Sequence, residues 1–265
     1  MTTLRTPSLR GSMLTSVAVA AAVLLGAATG QANPHQAMRD LLARGYYNAA
    51  AQLEGPNLVE RVPGDPEAHF LYARAAWLTD DMATARRELS EALTLASSPP
   101  PPAYRHLDGL LRAEEGDPEG ALRSLRDAFR RSRDYQHGMD LGLVAWRAGL
   151  FEEALDAYAA AAETERGQRE PWPHLNRGRI LALQDRTEGA MEAFETAIVV
   201  FERGDVGGVG PPPVAYVEAF YRLGQLHERE GDLAQAEQDF KAARSIDPNY
   251  TPAVQALDDL ARRGQ

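Results

Sequence analysis

AFYRLGQLHEREGDLAQAEQDFKAARSIDP, residues 219–248, decides the fold of this chain of 265 residues. Leu223, Leu226 and His227 share one helical face, Ala236, Phe240 and Ala243 share another, and Gly231-Asp232 breaks the pattern between them. Two short helices closing on each other are implied. Gly224, Ala236 and Ala243 are small enough for the backbones to approach closely, while Phe240 fills the space beside them. One such hairpin cannot bury its apolar face alone, so neighbours must exist.

At fixed spacing the stretch holds Phe220, Leu223-Gly224, His227, Gly231-Asp232, Ala236, Phe240, Ala243 and Asp247-Pro248, and in this it resembles the tetratricopeptide repeat (TPR) family. The resemblance implies an all-α, right-handed α-solenoid of about six helical hairpins with a C-terminal capping helix. The hairpins are expected near 33–65, 66–99, 102–135, 135–168, 171–204 and 217–250, with the cap at 252–263.

The first hairpin is faint. Ala37, Met38 and Leu41 suit its first helix, Gly45-Tyr46-Tyr47 a turn and Ala50 the tight place on its second helix. Glu54 stands where an aromatic is usual, and Gly55-Pro56 is expected to shorten that helix. The second hairpin carries Tyr72-Ala73, Ala85, Leu89 and Ala92, with Asp80 in its turn where glycine is expected. SSPPPP at 97–102 predicts an extended spacer. The third hairpin carries Gly109, Gly116-Asp117, Ala121, Leu125 and Ala128; the fourth Leu141-Gly142, Gly149, Ala154, Tyr158 and Ala161. The fifth has Gly178, Leu181, Ala190, Phe194 and Ala197, with no glycine in its turn at 184–186. GDVGGVGPPP at 204–213 follows. Its glycines do not read as a phosphate loop, because a helical pattern precedes them and Pro211 to Pro213 supply no N–H groups. In the cap, Val254, Leu257 and Leu260 are expected to cover the end of the stack.

Residues 1–32 have the layout of a secretory signal: Arg5 and Arg10, an apolar run from Met13 to Ala28, then small residues to Ala32. Cleavage after Ala32 is expected, with cuts after Ala28 or Gly30 and an uncleaved membrane anchor as alternatives. The chain is therefore expected to be exported, periplasmic or within the cell envelope. The remainder has 26 basic residues against 38 acidic ones, a formal charge of −12 that disfavours nucleic acid. Lys241 is the only lysine, and cysteine is absent, which excludes disulfides and thiolate chemistry.

In the family the first helices of the hairpins line a concave side. The places that look inward are Phe70, Arg74 and Trp77 in the second hairpin, and His106 and Leu110 in the third. The fourth contributes Met139, Leu143, Trp146 and Arg147, the fifth Trp172, Leu175 and Arg179, and the sixth Tyr221, Gln225 and Arg229. Phe70, Arg74 and Trp77 must share a side by their spacing. Aromatic anchors with arginine nearby suit a peptide segment, and packing between hairpins is the competing reading of the same rings. The resemblance does not extend to the carboxylate-clamp subclass, since Asn176 is a lone candidate and the lysines are missing.

His35, His69, His106, His137, His174 and His227 are spread along the chain with no HExxH, and no GxSxG elbow or Walker loop occurs. No metal, cofactor or catalytic residue is expected. The function expected is a non-enzymatic interaction scaffold of the bacterial cell envelope, holding a protein or peptide partner in the groove. A self-assembling structural protein, with the chain as a homo-oligomer, and a carbohydrate-handling module of polysaccharide export are the alternatives.

Overall fold

The computed structural model describes residues 33–203 and 214–263. The signal-like stretch 1–32, its cleavage point and the 204–213 insertion lie outside the described residues. The described residues form helices and their connections, with no strand, and the chain divides into two compact units, 1–128 and 129–265.

The first unit opens with α1 (Gln36–Ala43) and α2 (Tyr47–Ala49), which passes through a π-helical turn (Ala50–Glu54) into α3 (Gly55–Arg61). It continues with α4 (Pro66–Leu78), α5 (Met82–Leu95), α6 (Pro102–Glu114) and most of α7 (Pro118–Ser132). In the second unit α8 (Tyr135–Arg147) pairs with α9 (Phe151–Ala162), and a 3-10 turn (Gly167–Arg169) leads to α10 (Trp172–Leu183) and α11 (Thr187–Arg203). Then come α12 (Val214–Glu230), α13 (Leu233–Ile246) and α14 (Thr251–Arg263).

One seam recurs inside these hairpins: a small residue on the first helix lies against a large one on the second. A Cβ added to Gly224 would lie 2.5 Å from Cε1 of Phe240, and one added to Gly142 would lie 2.6 Å from Cε1 of Tyr158. Both rings are fully buried. Neither ring has space to retreat, so glycine sets the distance between the helices.

The turns between paired helices share one geometry whether or not glycine is present. Asp80 (φ 65°) and Asp185 (φ 56°) occupy the left-handed region that Gly149 (φ 76°) and Gly231 (φ 86°) occupy elsewhere. The following N–H closes back on the helix, Asp81 to the Ala76 carbonyl and Arg186 to the Leu181 carbonyl, each at 2.9 Å. Aspartate tolerates this region better than most residues, which explains how two turns without glycine keep the geometry. Asp81 and Asp232 then cap the next helix by accepting from the backbone N–H of Thr84 and Gln235.

The first hairpin corrects one expectation, because Gly55-Pro56 does not end the helix. The N–H of Gly55 donates to the Ala50 carbonyl, five residues back. That wider turn accommodates a proline that has no N–H to give and whose ring crowds the preceding turn. The helix then runs on to Arg61. Glu54 is 1% exposed in the aromatic's usual place, and its carboxylate accepts from Arg61 Nη2 at 2.7 Å. The ring is supplied by Tyr72, whose face lies where a side chain on Gly55 would be. Between α5 and α6 the chain is non-helical, and Pro101 (φ −53°, ψ 142°) is polyproline-like, as the SSPPPP stretch predicts. At the C-terminus Leu257 is buried and Leu260 packs with it beside Ala236 and Phe240.

Candidate functional site

The inward-looking places divide between the two units. In the first unit, Phe70 on α4 stacks on Tyr104 of α6 with ring centroids 4.4 Å apart, and it packs against two core clusters. Its ring joins successive hairpins. Trp77 rests half-buried on the cluster that holds Ala73 and Leu89, and its indole N–H donates to Glu114 Oε1 at 3.1 Å. Arg74 is exposed, while His106 and Leu110 are half-buried.

In the second unit several of the proposed groove residues are committed to packing. Leu175 is fully buried. Arg179 donates through Nε to Glu218 Oε1 at 2.9 Å, through Nη2 to Glu218 Oε2, and through Nη1 to Asn176 Oδ1 at 2.9 Å. Glu218 is buried and also accepts from Arg222 Nε at 3.1 Å. Burial pushes this carboxyl up, but the guanidinium groups of Arg179 and Arg222 outweigh it and hold the carboxyl below its ordinary value. Tyr221 lies against Phe240 and Tyr250 and accepts from Gln225 Nε2 at 3.0 Å. Arg229 reaches Asp185 at 3.0 Å. These contacts tie α12 to its neighbours, and glutamate at position 218 is the partner that the periodicity did not single out.

The residues not consumed in this way lie on α8 and at the two ends of α10. Met139, Leu143 and Trp146 form a half-buried stripe along α8, followed by exposed Arg147, and Trp172 is half-buried at the start of α10. Among the described residues no acceptor lies on the indole N–H of Trp146. Counting from the glycine or alanine of each seam, Trp146 holds the place of Trp77, and Leu183 holds the place of Glu114. Where the first unit has an acceptor for an indole, the second has a leucine that is 65% exposed.

A second mismatch of this kind lies at His174. It holds the place of His69, whose Nδ1 pairs with Glu88 at 2.7 Å, but the residue at the Glu88 place is Ala193. Nδ1 of His174 and Nε of Arg177 are buried without a hydrogen-bond partner. Burial, reinforced by the Arg177 charge, pushes the His174 imidazole below its ordinary value. Among the described residues no three His, Asp or Glu side chains are placed to hold a metal ion, and no helix is long and apolar enough to cross a membrane.

Family models described as "Tetratricopeptide repeat" match residues 108–171 and 217–250. No curated protein matches the chain. Among solved structures, it is similar to PilW, described as a widely conserved type IV pilus biogenesis factor, at 13% identity and a TM-score of 0.66, over 84% of this chain and 96% of that one. It is also similar to PilF of Pseudomonas aeruginosa, at 17% identity and a TM-score of 0.63, over 85% and 96% of the two chains. A third likeness is to YrrB, described as a TPR protein with an unusual peptide-binding site, at 17% identity and a TM-score of 0.59, over 76% and 96%. At such identities these likenesses speak for the fold, an all-α solenoid of repeats, and for nothing finer.

Proposed function

Since this chain is a tetratricopeptide repeat protein, we propose that it is a non-enzymatic scaffold that holds a protein partner on the first-helix faces of its second unit. The family is in general a non-catalytic interaction fold whose members bind protein or peptide partners. The observation that carries the finer reading is the uncovered apolar set on α8 and α10. Met139, Leu143 and Trp146 run down one side of α8, the indole N–H of Trp146 has no acceptor among the described residues, and Leu183 stands exposed. Partly exposed aromatic and aliphatic side chains beside an arginine, here Arg147, are the usual anchors of a protein interface. Trp172 extends the set. In the first unit Arg74 is exposed and His106 and Leu110 are half-buried on the first helices, and Trp77 already has Glu114.

The setting we propose is the bacterial cell envelope, after export. The support is the signal-like layout of residues 1–32. Affinity capture from envelope extract tests this reading, with the wild-type chain beside a Trp146→Ala, Leu183→Ser variant whose helicity and melting match it. A partner retained by the wild type and lost by the variant is the expected result. Equal recovery by both would remove this face from consideration.

A further inference from the structure

Three non-glycine residues of the described chain have positive φ: Asp80, Asp185 and Arg133. The two aspartates sit in the turns within hairpins, where every counterpart is left-handed. Arg133 (φ 49°) stands apart from them, in the connection from α7 to α8, and an arginine has no short polar side chain to ease this conformation. A residue held in a strained backbone state is a pointer to a ligand when the surroundings offer a place for one.

They do here. Arg133 lines an open cleft of about 700 Å³ within the second unit, between residues 132–136 and 164–170, within the range of ligand sites. The guanidinium of Arg133 lies 5.7 Å from the centroid of the Phe129 ring, and it has no carboxylate or other acceptor among the described residues. Across the same cleft Arg166 lies over the Tyr135 ring at 4.6 Å, and its Nε makes only a long contact of 3.3 Å to Glu170. A guanidinium laid on a ring keeps its N–H edge available for a planar acceptor. Arg169 also lines the cleft and pairs with Glu165 at 2.9 Å. These two pairs, one helical turn apart in exposed positions, hold their arginines weakly.

The far wall is fixed. A side chain at Gly167 would collide with the Ala161 carbonyl, and Thr164 Oγ1 donates to that same carbonyl at 2.7 Å while accepting from the Gly167 N–H at 3.0 Å. The 164–170 side of the cleft is thus held in place by its own backbone and Thr164.

We propose that this cleft is a second binding site, distinct from the α8 and α10 face, and that its ligand is a peptide segment presenting a side-chain carboxylate to Arg133, with Arg166 and Arg169 beside it. Asp134, Glu165 and Glu170 match the three arginines around the same space, so the lining carries no net formal charge and a doubly charged anion loses more hydration there than a singly charged one. A carboxylate therefore suits the cleft better than phosphate.

The test is an NMR titration of the full chain with acetyl-Ala-Glu-Glu-Ala-amide, its Gln-Gln counterpart and inorganic phosphate. Backbone amides of 132–136 and 164–170 and the arginine Nε–H signals are the reporters. Saturable shifts are expected with the glutamate peptide, at least tenfold weaker ones with the glutamine peptide and with phosphate, and none in Arg133→Gly. The same Arg133→Gly variant is expected to melt roughly 2–4 °C higher than wild type, because glycine relieves the strained φ. Equal shifts from both peptides, equal shifts from phosphate, or shifts retained in Arg133→Gly would each overturn the proposal. So would a lower melting temperature in that variant, which would make Arg133 a structural residue.

Discussion

Between Gly224 and the Phe240 ring there is no room for a methyl group, since a Cβ at residue 224 would lie 2.5 Å from the ring. Gly224→Ala is expected to lower stability by roughly 1–3 kcal/mol, the range for overpacking a filled core, as read by chemical denaturation. An unchanged midpoint would contradict the close approach. Asp80 tests the opposite sign. Its φ of 65° costs an L residue more than it costs glycine, and the extra freedom of glycine in the unfolded chain offsets part of the gain. Asp80→Gly is therefore expected to stabilise by roughly 0.5–1 kcal/mol. A loss on that substitution would mean that the aspartate side chain contributes more than its backbone strain takes away.

The buried joint between α10 and α12 is an element whose chemistry responds to pH. Glu218 is charged between Arg179 and Arg222, and its carboxyl lies below the ordinary value of 4.5. The unfolded chain therefore takes up the proton before the folded one does. The stability this group contributes is full above about pH 4.5 and is lost as pH falls through the lower folded value. Glu218→Gln is expected to flatten the acid limb of the stability curve measured by urea unfolding between pH 6 and pH 3. Arg179→Met is the harsher change, expected to cost roughly 3 kcal/mol at neutral pH by leaving a buried carboxylate with Arg222 alone. If both variants follow the wild-type curve, the joint is not held by these charges.

At the scale of the whole chain, what could be read from the sequence was what repeats. The small-residue seams at Gly142 and Gly224 and the covering role of Leu257 and Leu260 follow from spacing, because spacing fixes which residues share a helical face. What could not be read depends on partners from other helices. Arg179 was legible as an arginine on the right face, yet its commitment to Glu218, 39 residues away, has no periodic signature. Phe70 was legible as an aromatic, but the stack on Tyr104 that turns it into packing needed both helices in place. The continuation of the first hairpin past Pro56 was hidden for a local reason: a π turn is set by backbone hydrogen bonding that no residue type announces. The strain at Arg133 is silent in the sequence on the same grounds.

A protein partner on the partly exposed face of α8 and α10 is what the proposed function requires. The most direct measurement is site-specific photo-crosslinking in the producing cell, with a photoreactive phenylalanine analogue placed at Leu183 or at Arg147 and, as the control, at Lys241 on α13, which is 54% exposed at its side chain. One common crosslinked protein is expected from positions 183 and 147 and none from 241. A crosslinked partner from 241 alone, with 183 and 147 silent, would contradict it and move the binding surface to the second helices of the hairpins.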